Sequence, residues 1–399
     1  MKIQGFIRPD GKVGIRNYLL VVSTGRNSAN LALLIANNIT GAKVFTPMQE
    51  AGRTAEDRAT IARTIVGLAK NPNVGAVLIV GIKKNGGYPE FTHERITGEI
   101  SKSRKPLETV FIDECGGFYQ AIGEGIKKGR KLAVQASEVL RQTVDFGSLF
   151  VGIKCGYSDP TSGLAGNPVA GNFADRLVDA GGSMIFSETT EVIGAEHILA
   201  KRFHDKKQRI KFLDAVARVE NEAKSTGEDI RSINPIPANI EAGLSTLEEK
   251  SLGAIAKAGS RPIQECVKYG EPVSKAGLHF MDSWMSSSAL FLGFAATGTV
   301  LNLFQVGGNW MPESPLMPSS NTGIVTPTLY MSGNPYFCLH ASSEIDFDAG
   351  TVITSGESVA QAGERLAKLV SHVASGRLTK AETLGTAEPV EQYMRGSVF

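Results

Sequence analysis

The sequence predicts an α/β protein of two domains with mainly parallel sheets flanked by helices. Three observations carry that prediction. Short apolar runs alternate strictly with longer stretches of helical period, the pattern that βαβ crossovers leave in a chain. The alternation starts afresh after Val144-Asp145-Phe146-Gly147-Ser148, which divides the chain into domains 1–145 and 146–399. A length of 399 residues is room for two domains, at roughly 100–200 residues each.

In the first domain, Tyr18 to Val22 reads as a buried strand and Ser28 to Ala36 as the helix that follows. Val44-Phe45 is a short second strand, and a helix runs from about Thr54 to Ala69 until Asn71-Pro72-Asn73 breaks it. Val74 to Val80 is the strongest strand signal in the chain. A helix from about Phe91 then leads to the strand Thr109 to Ile112, and a further helix spans about Phe118 to Arg141. The second series opens with the strand Leu149 to Ile153. A helix from Val169 to Ala180 follows, which Gly181-Gly182 ends as glycine does beyond a helix C-terminus. Ser183 to Ser187 is the next strand, and Glu196 to Glu222 reads as one long surface helix. Residues 225–260, rich in Asn, Pro, Gly and Ser, read as a long loop. Strands at Leu278 to Met281 and Val300 to Phe304 and a helix at Val359 to Ala374 complete the series.

Composition excludes several classes. Forty-two Lys and Arg against 40 Asp and Glu leave a net charge of +2, so no broad basic field is present for nucleic acid or an anionic membrane. The longest early apolar run, Tyr18 to Val22, is far shorter than a membrane helix of roughly 20 residues. The four cysteines, Cys115, Cys155, Cys266 and Cys338, lie far apart without a CxxC pair. With no apolar signal core at the start, the expectation is a cytoplasmic protein with free thiols.

Open α/β sheets collect ligands at the carboxyl ends of their strands. The densest polar stretch in that position is Lys154-Cys155-Gly156-Tyr157-Ser158-Asp159, continuing through Ser162 to Asn167-Pro168. Its glycines allow close backbone approach to an anion, although a tight structural loop would use the same residues. After the next strand comes Glu188-Thr189-Thr190-Glu191, with His197 following. These groups could serve as base, acid or metal ligands, or the acids could simply face a helix dipole. Arg16, in Gly14-Ile15-Arg16-Asn17, could clamp a carboxylate or brace a loop. Lys83-Lys84, after the strongest strand, could face an anion or only solvent.

The same stretches resemble the altronate/galactarate dehydratase family, which also includes the (R)-sulfolactate sulfo-lyase large subunit. Gly5-Phe6-Ile7-Arg8-Pro9-Asp10-Gly11 through Tyr18 is similar to its opening, and Val151 to Asn167-Pro168 to its central motif. Ser187 to His197, Asn234-Pro235, Glu249-Lys250-Ser251-Leu252-Gly253-Ala254 and Phe280-Met281-Asp282 continue the likeness in order. The resemblance implies a hydro-lyase that removes water from a small anionic hydroxy or sugar acid to give a 2-keto acid. A sulfo-lyase releasing sulfite and a catalytically silent ligand-binding or partner subunit are the alternatives. It implies Glu188, Glu191 and His197 as catalytic groups. Arg16, Asn17, Cys155, Gly156, Ser158, Asp159, Ser162, Asn167 and Asp282 would contact substrate.

The family uses a divalent metal, commonly iron, to stabilise the enediolate. Against that pattern, Asn27, Pro47, Ala51, Lys84 and Ala349 stand where soft or imidazole ligands are expected. Gly307-Gly308-Asn309 lacks the expected arginine, and Met317 replaces a lysine. The usual metal site and carboxylate clamp are therefore expected to be altered. The expected partners are a separate small SAF-domain subunit and further copies of the chain, with no nucleic acid and no membrane.

Overall fold

In the computed structural model the residues described are 1–83, 88–308, 323–384 and 390–398. Lys84, Asn309 and Met317 lie outside them. Among the described residues, fourteen strands form three sheets. Two short antiparallel pairings join β1 (Lys2–Ile7) to β2 (Val13–Gly14) and to β7 (Gln142–Asp145). The four-stranded sheet runs β4 (Lys43–Phe45), β3 (Tyr18–Ser23), β5 (Val74–Gly81), β6 (Leu107–Phe111), all parallel. The seven-stranded sheet is also parallel. Its order is β10 (Ile263–Val267), β11 (Gly277–Met281), β9 (Ser183–Phe186), β8 (Phe150–Gly156), β12 (Leu301–Val306), β13 (Thr328–Ser332), β14 (Phe347–Asp348). Val74–Gly81 is buried at every residue, which is why it reads as a continuous apolar run rather than an alternating one. The α/β class with parallel sheets between helices is thus observed.

The two large sheets meet through a buried polar clip. Asn73 accepts the backbone N–H groups of Ile15 and Arg16 and donates to the carbonyls of Val300 and Val325. Asn71 donates in the same way to Ala295 and Thr299. The breaker that ends the helix Ala55–Lys70 therefore also ties it to the second half of the chain.

Two segments depart from the reading of the sequence. The long helix expected from Glu196 to Glu222 is broken into Glu196–Ala200 and Lys206–Ser225, with Asp205 capping the second by accepting from Lys207 N. The expected loop 225–260 is largely helical, with helices at Ile230–Ile233, Pro237–Glu241 and Leu247–Ile255. Its small polar residues sit at helix ends: Asp229 and Thr246 each accept a hydrogen bond from the first turn they precede.

Candidate functional site

The chain leaves β8 for β9 on one side and later returns to β12 on the other. The carboxyl end of β8 is therefore a topological switch point, where the flanking crossovers diverge and leave a crevice. Cys155 is the penultimate residue of β8, and Glu188 and Glu191 follow the end of β9. The exits of β8 and β12 are pressed together: a Cβ on Gly307 would lie 2.1 Å from the Tyr157 carbonyl oxygen, so only glycine fits there. Glu188 holds a left-handed backbone (φ 76°, ψ 70°), an unfavourable conformation for a side chain-bearing residue that turns its carboxylate back over β8.

These segments converge. The Cys155 thiol lies 3.4 Å from Glu191 Oε2 and 3.8 Å from Glu188 Oε2. Three lysines close around them. Lys257 Nζ donates to Glu188 Oε2 at 2.6 Å and to Cys155 Sγ at 3.0 Å. Lys154 Nζ donates to Glu188 Oε1 at 2.9 Å and to the Cys155 carbonyl at 2.7 Å. Lys250 Nζ reaches Glu191 Oε1 at 3.1 Å, Asn234 Oδ1 at 2.8 Å and Asn239 Oδ1 at 3.1 Å. No side chain of the five charged residues is more than 5% exposed.

With the thiol neutral, the centre holds three ammonium groups against two carboxylates, one net positive charge in a desolvated space. Burial alone would raise the Glu191 pKa, but Lys250, Lys257 and Lys154 outweigh it and hold the carboxyl below its ordinary value. Burial, helped by Glu188 and Glu191, pushes the Cys155 thiol up to about 12 against the pull of the lysines. Burial works to discharge Lys257 and Lys154, yet the carboxylates win and both pKa values rise. Lys257 and Lys154 are therefore ammonium ions at neutral pH.

Beside the cluster opens a cavity of 430 Å³, within the usual range for a small-molecule site. Lys250 lines it and is the link to the buried charges; Ser158, Asp159, Ser162 and Asn167 supply the other polar groups of the wall nearest β8. Asp159 is held rigidly by Thr161 Oγ1 at 2.5 Å, Ser162 N at 3.2 Å and Asn334 Nδ2 at 2.9 Å. Asn167 is 2% exposed and donates to the Gly253 carbonyl, while its Oδ1 meets no donor among the described residues. A π-helical turn, Ser162–Gly166, separates these residues from the helix Asn167–Asp179, an irregularity common at functional sites.

The family model described as D-galactarate/Altronate dehydratase, C-terminal, matches residues 146–394. A second, D-galactarate dehydratase/Altronate hydrolase, second domain, matches residues 5–137. The chain belongs to the galactarate/altronate dehydratase family. It is 32% identical to the (2R)-sulfolactate sulfo-lyase subunit beta of Chromohalobacter salexigens, over 96% of this chain and 95% of that one. It is 26% identical to the altronate dehydratase of Escherichia coli K12, over 95% of this chain and 75% of that enzyme. To the galactarate dehydratase (L-threo-forming) of the same organism it is 30% identical, over 79% of this chain and 59% of that enzyme.

Within this family fold, the residues that the resemblance proposes fall into three groups. Cys155, Glu188 and Glu191 meet in the cluster, and Ser158, Asp159, Ser162 and Asn167 line the cavity. Gly156 lies at the strand end, where a Cβ would strike the Phe304 ring at 2.8 Å. Asp282 is near the cluster through Thr189, whose hydroxyl donates to it at 2.9 Å, but Arg218 Nη2 holds both its oxygens, at 2.7 and 2.6 Å. The structure does not bring the others in. Arg16 is buried and bonded to Glu382 and to the carbonyls of Val373 and Arg377, so it braces the C-terminal segment. Asn17 is held between Arg8 and the Ala136 carbonyl, and His197 is exposed on the short helix Glu196–Ala200. Lys154, Lys250, Lys257, Asn234 and Asn239 received no role from the sequence. The Thr246-x-x-Glu249 capping pattern could have placed Lys250 on a helix, but nothing local points Lys257 at a thiol a hundred residues away.

The family's metal can be tested against this donor set. Among the described residues, Cys155, Glu188 and Glu191 form a group whose ligand atoms lie within 4.8 Å of one another, as a metal would require. Metal–ligand bonds of roughly 2.0–2.3 Å would put a divalent ion where the Lys257 ammonium bridges Sγ and Glu188 Oε2. Lys154 and Lys250 already hold the outer carboxylate oxygens. With this arrangement of lysines a divalent ion does not fit the group.

Proposed function

We propose that the chain is a lyase that removes the proton next to the carboxylate of a small hydroxy acid and expels an anionic β-substituent, sulfite, to leave a 2-keto acid. The observation that carries this reading is the convergence of three lysines on a buried cluster beside a switch-point cavity, which Lys250 lines and whose described walls offer no histidine. Departing hydroxide needs a proton from a positioned acid; departing sulfite does not, and needs positive charge instead. The similarity to a sulfo-lyase subunit over nearly the full length of both chains supports the same choice.

In this reading Lys250, the cation that touches both cavity and cluster, stabilises the developing enediolate. Asp159, the buried carboxylate on the cavity wall, takes the proton, and Asn167 Oδ1 accepts from the substrate hydroxyl. Glu188 and Glu191, sealed behind the lysines, act as positioning residues rather than as the base. Because the sulfo-lyase relative is a subunit beta, a separate small subunit of the SAF type is the proposed partner.

The test is a substrate panel of sulfolactate, altronate and galactarate, with sulfite and 2-keto acid measured separately, on the protein alone and with any co-purified subunit. The expected result is both products from sulfolactate, with Asp159→Asn and Lys250→Met each lowering kcat/KM by about 100-fold or more. Keto acid from a sugar acid without sulfite would show a hydro-lyase instead. Tight acid binding with no turnover would show a silent relative.

A further inference from the structure

We infer that the Cys155–Glu188–Glu191 group is a closed centre whose resident cation is the Lys257 ammonium, in the place that a divalent metal would take. This concerns what fills the centre and stands whether or not the lyase reading does. Two carboxylates drawn together with a thiol within 4.8 Å in a desolvated space would repel each other if nothing positive lay between them. Lys257 lies there, at 2.6 Å from Glu188 Oε2 and 3.0 Å from Cys155 Sγ.

The placement is built by the fold rather than by a flexible side chain reaching inward. Lys257 belongs to the short turn Ala256–Ala258 after the helix Leu247–Ile255, and its side chain is 1% exposed. That turn packs on the helix Asn167–Asp179 at Gly171, where a Cβ would lie 2.1 Å from the Ala256 carbonyl oxygen. Helix and turn can approach this closely only at glycine, and the approach brings the ammonium over the end of β8. Lys154 and Lys250 then saturate the remaining carboxylate oxygens from either side, at 2.9 and 3.1 Å. A divalent ion entering this arrangement would add its charge to a centre that is already net positive.

The experiment uses Co²⁺ as the probe, because a cobalt–thiolate bond has its own charge-transfer absorption. The full chain, stripped with chelator, is titrated with Co²⁺ beside the Cys155→Ser variant, which controls for Cys115, Cys266 and Cys338. The expected result is no absorption band that depends on Cys155, even at excess Co²⁺. A stoichiometric band in the wild type that Cys155→Ser abolishes would overturn the inference, and this comparison needs no lysine variant to fold. Lys257→Met, checked for native secondary structure, is expected to gain a Cys155-dependent band. A folded Lys257→Met protein that gains none would equally refute the claim that this ammonium holds the place of the ion.

Discussion

Removing the Glu188 carboxylate is the sharpest probe of the buried charges. In Glu188→Ala, Lys257 and Lys154 lose acceptors at 2.6 and 2.9 Å, and the Cys155 N–H loses one at 3.3 Å. The centre then holds three ammonium groups against Glu191 alone. Breaking a buried pair from one side costs about 3–5 kcal/mol, and alanine gains nothing back because it inherits the same left-handed backbone. That is a large part of a typical folding free energy of roughly 5–15 kcal/mol. Glu188→Gln keeps the shape but turns an amide N–H₂ toward a lysine, so it should cost about 2–3 kcal/mol.

The measurement is urea denaturation with m unchanged, repeated between pH 7 and 10. In the wild type the pKa values of Lys257 and Lys154 are raised, so their stabilisation is complete below the unfolded-state pKa and fades only above it. Without Glu188 the same groups are discharged by burial, their folded pKa values fall, and stability returns as pH rises. The gap between the two proteins should therefore narrow toward pH 10. A cost below about 1 kcal/mol, or one that is flat across this range, would mean packing rather than charge and would refute the reasoning.

Three further outcomes follow from the geometry. Gly171→Ala should lose about 1–3 kcal/mol in the same denaturation assay, because its Cβ drives the helix off the turn that carries Lys257. Cys155, raised from 9.0 to about 12, should form thiolate about 1,000-fold less readily than an unfolded cysteine. Peptide mapping after alkylation at pH 8 should find it, relative to the denatured chain, far slower to react than the partly exposed Cys115. Burial lowers His279 from 6.5 to about 4, so it is neutral in the fold and protonates more readily unfolded. Its stabilisation is complete above pH 6.5 and is lost as pH falls toward 4, a loss of about 3 kcal/mol. Stability measured from pH 7 to 5 should fall, and His279→Gln should flatten that slope.

The parts of this fold that were legible from sequence are those with a local cause. Val74–Gly81 and Val359–Ala374 announce themselves, one by unbroken burial and the other by an apolar face behind the Ser358–Gln361 capping box. The helix Ser287–Thr297 was invisible because it is buried on all sides and so has no periodic pattern to read. Loop-like composition at 225–260 concealed three helices, since Asp229 and Thr246 look the same as helix caps and as turn residues. Two of the three segments of the candidate site, the Cys155 turn and the acidic exit of β9, could be read because both follow strands.

The lysines could not be read that way, and the reason bears on the chemistry. A lysine in a polar segment is ordinarily solvated, and only a tertiary contact makes it a buried cation. Lys250 and Lys257 come from a segment some sixty residues beyond Glu191, which the crossover from β9 to β10 folds over the switch point. The parallel sheet therefore supplies the negative groups, the thiol and Lys154 at fixed strand ends, while the overlying helical segment supplies the other two positive charges. The charge balance of the centre is set by how that segment docks. Substitutions at its packing contacts, Gly171 against Ala256 above all, should alter the site's electrostatics without touching a charged residue.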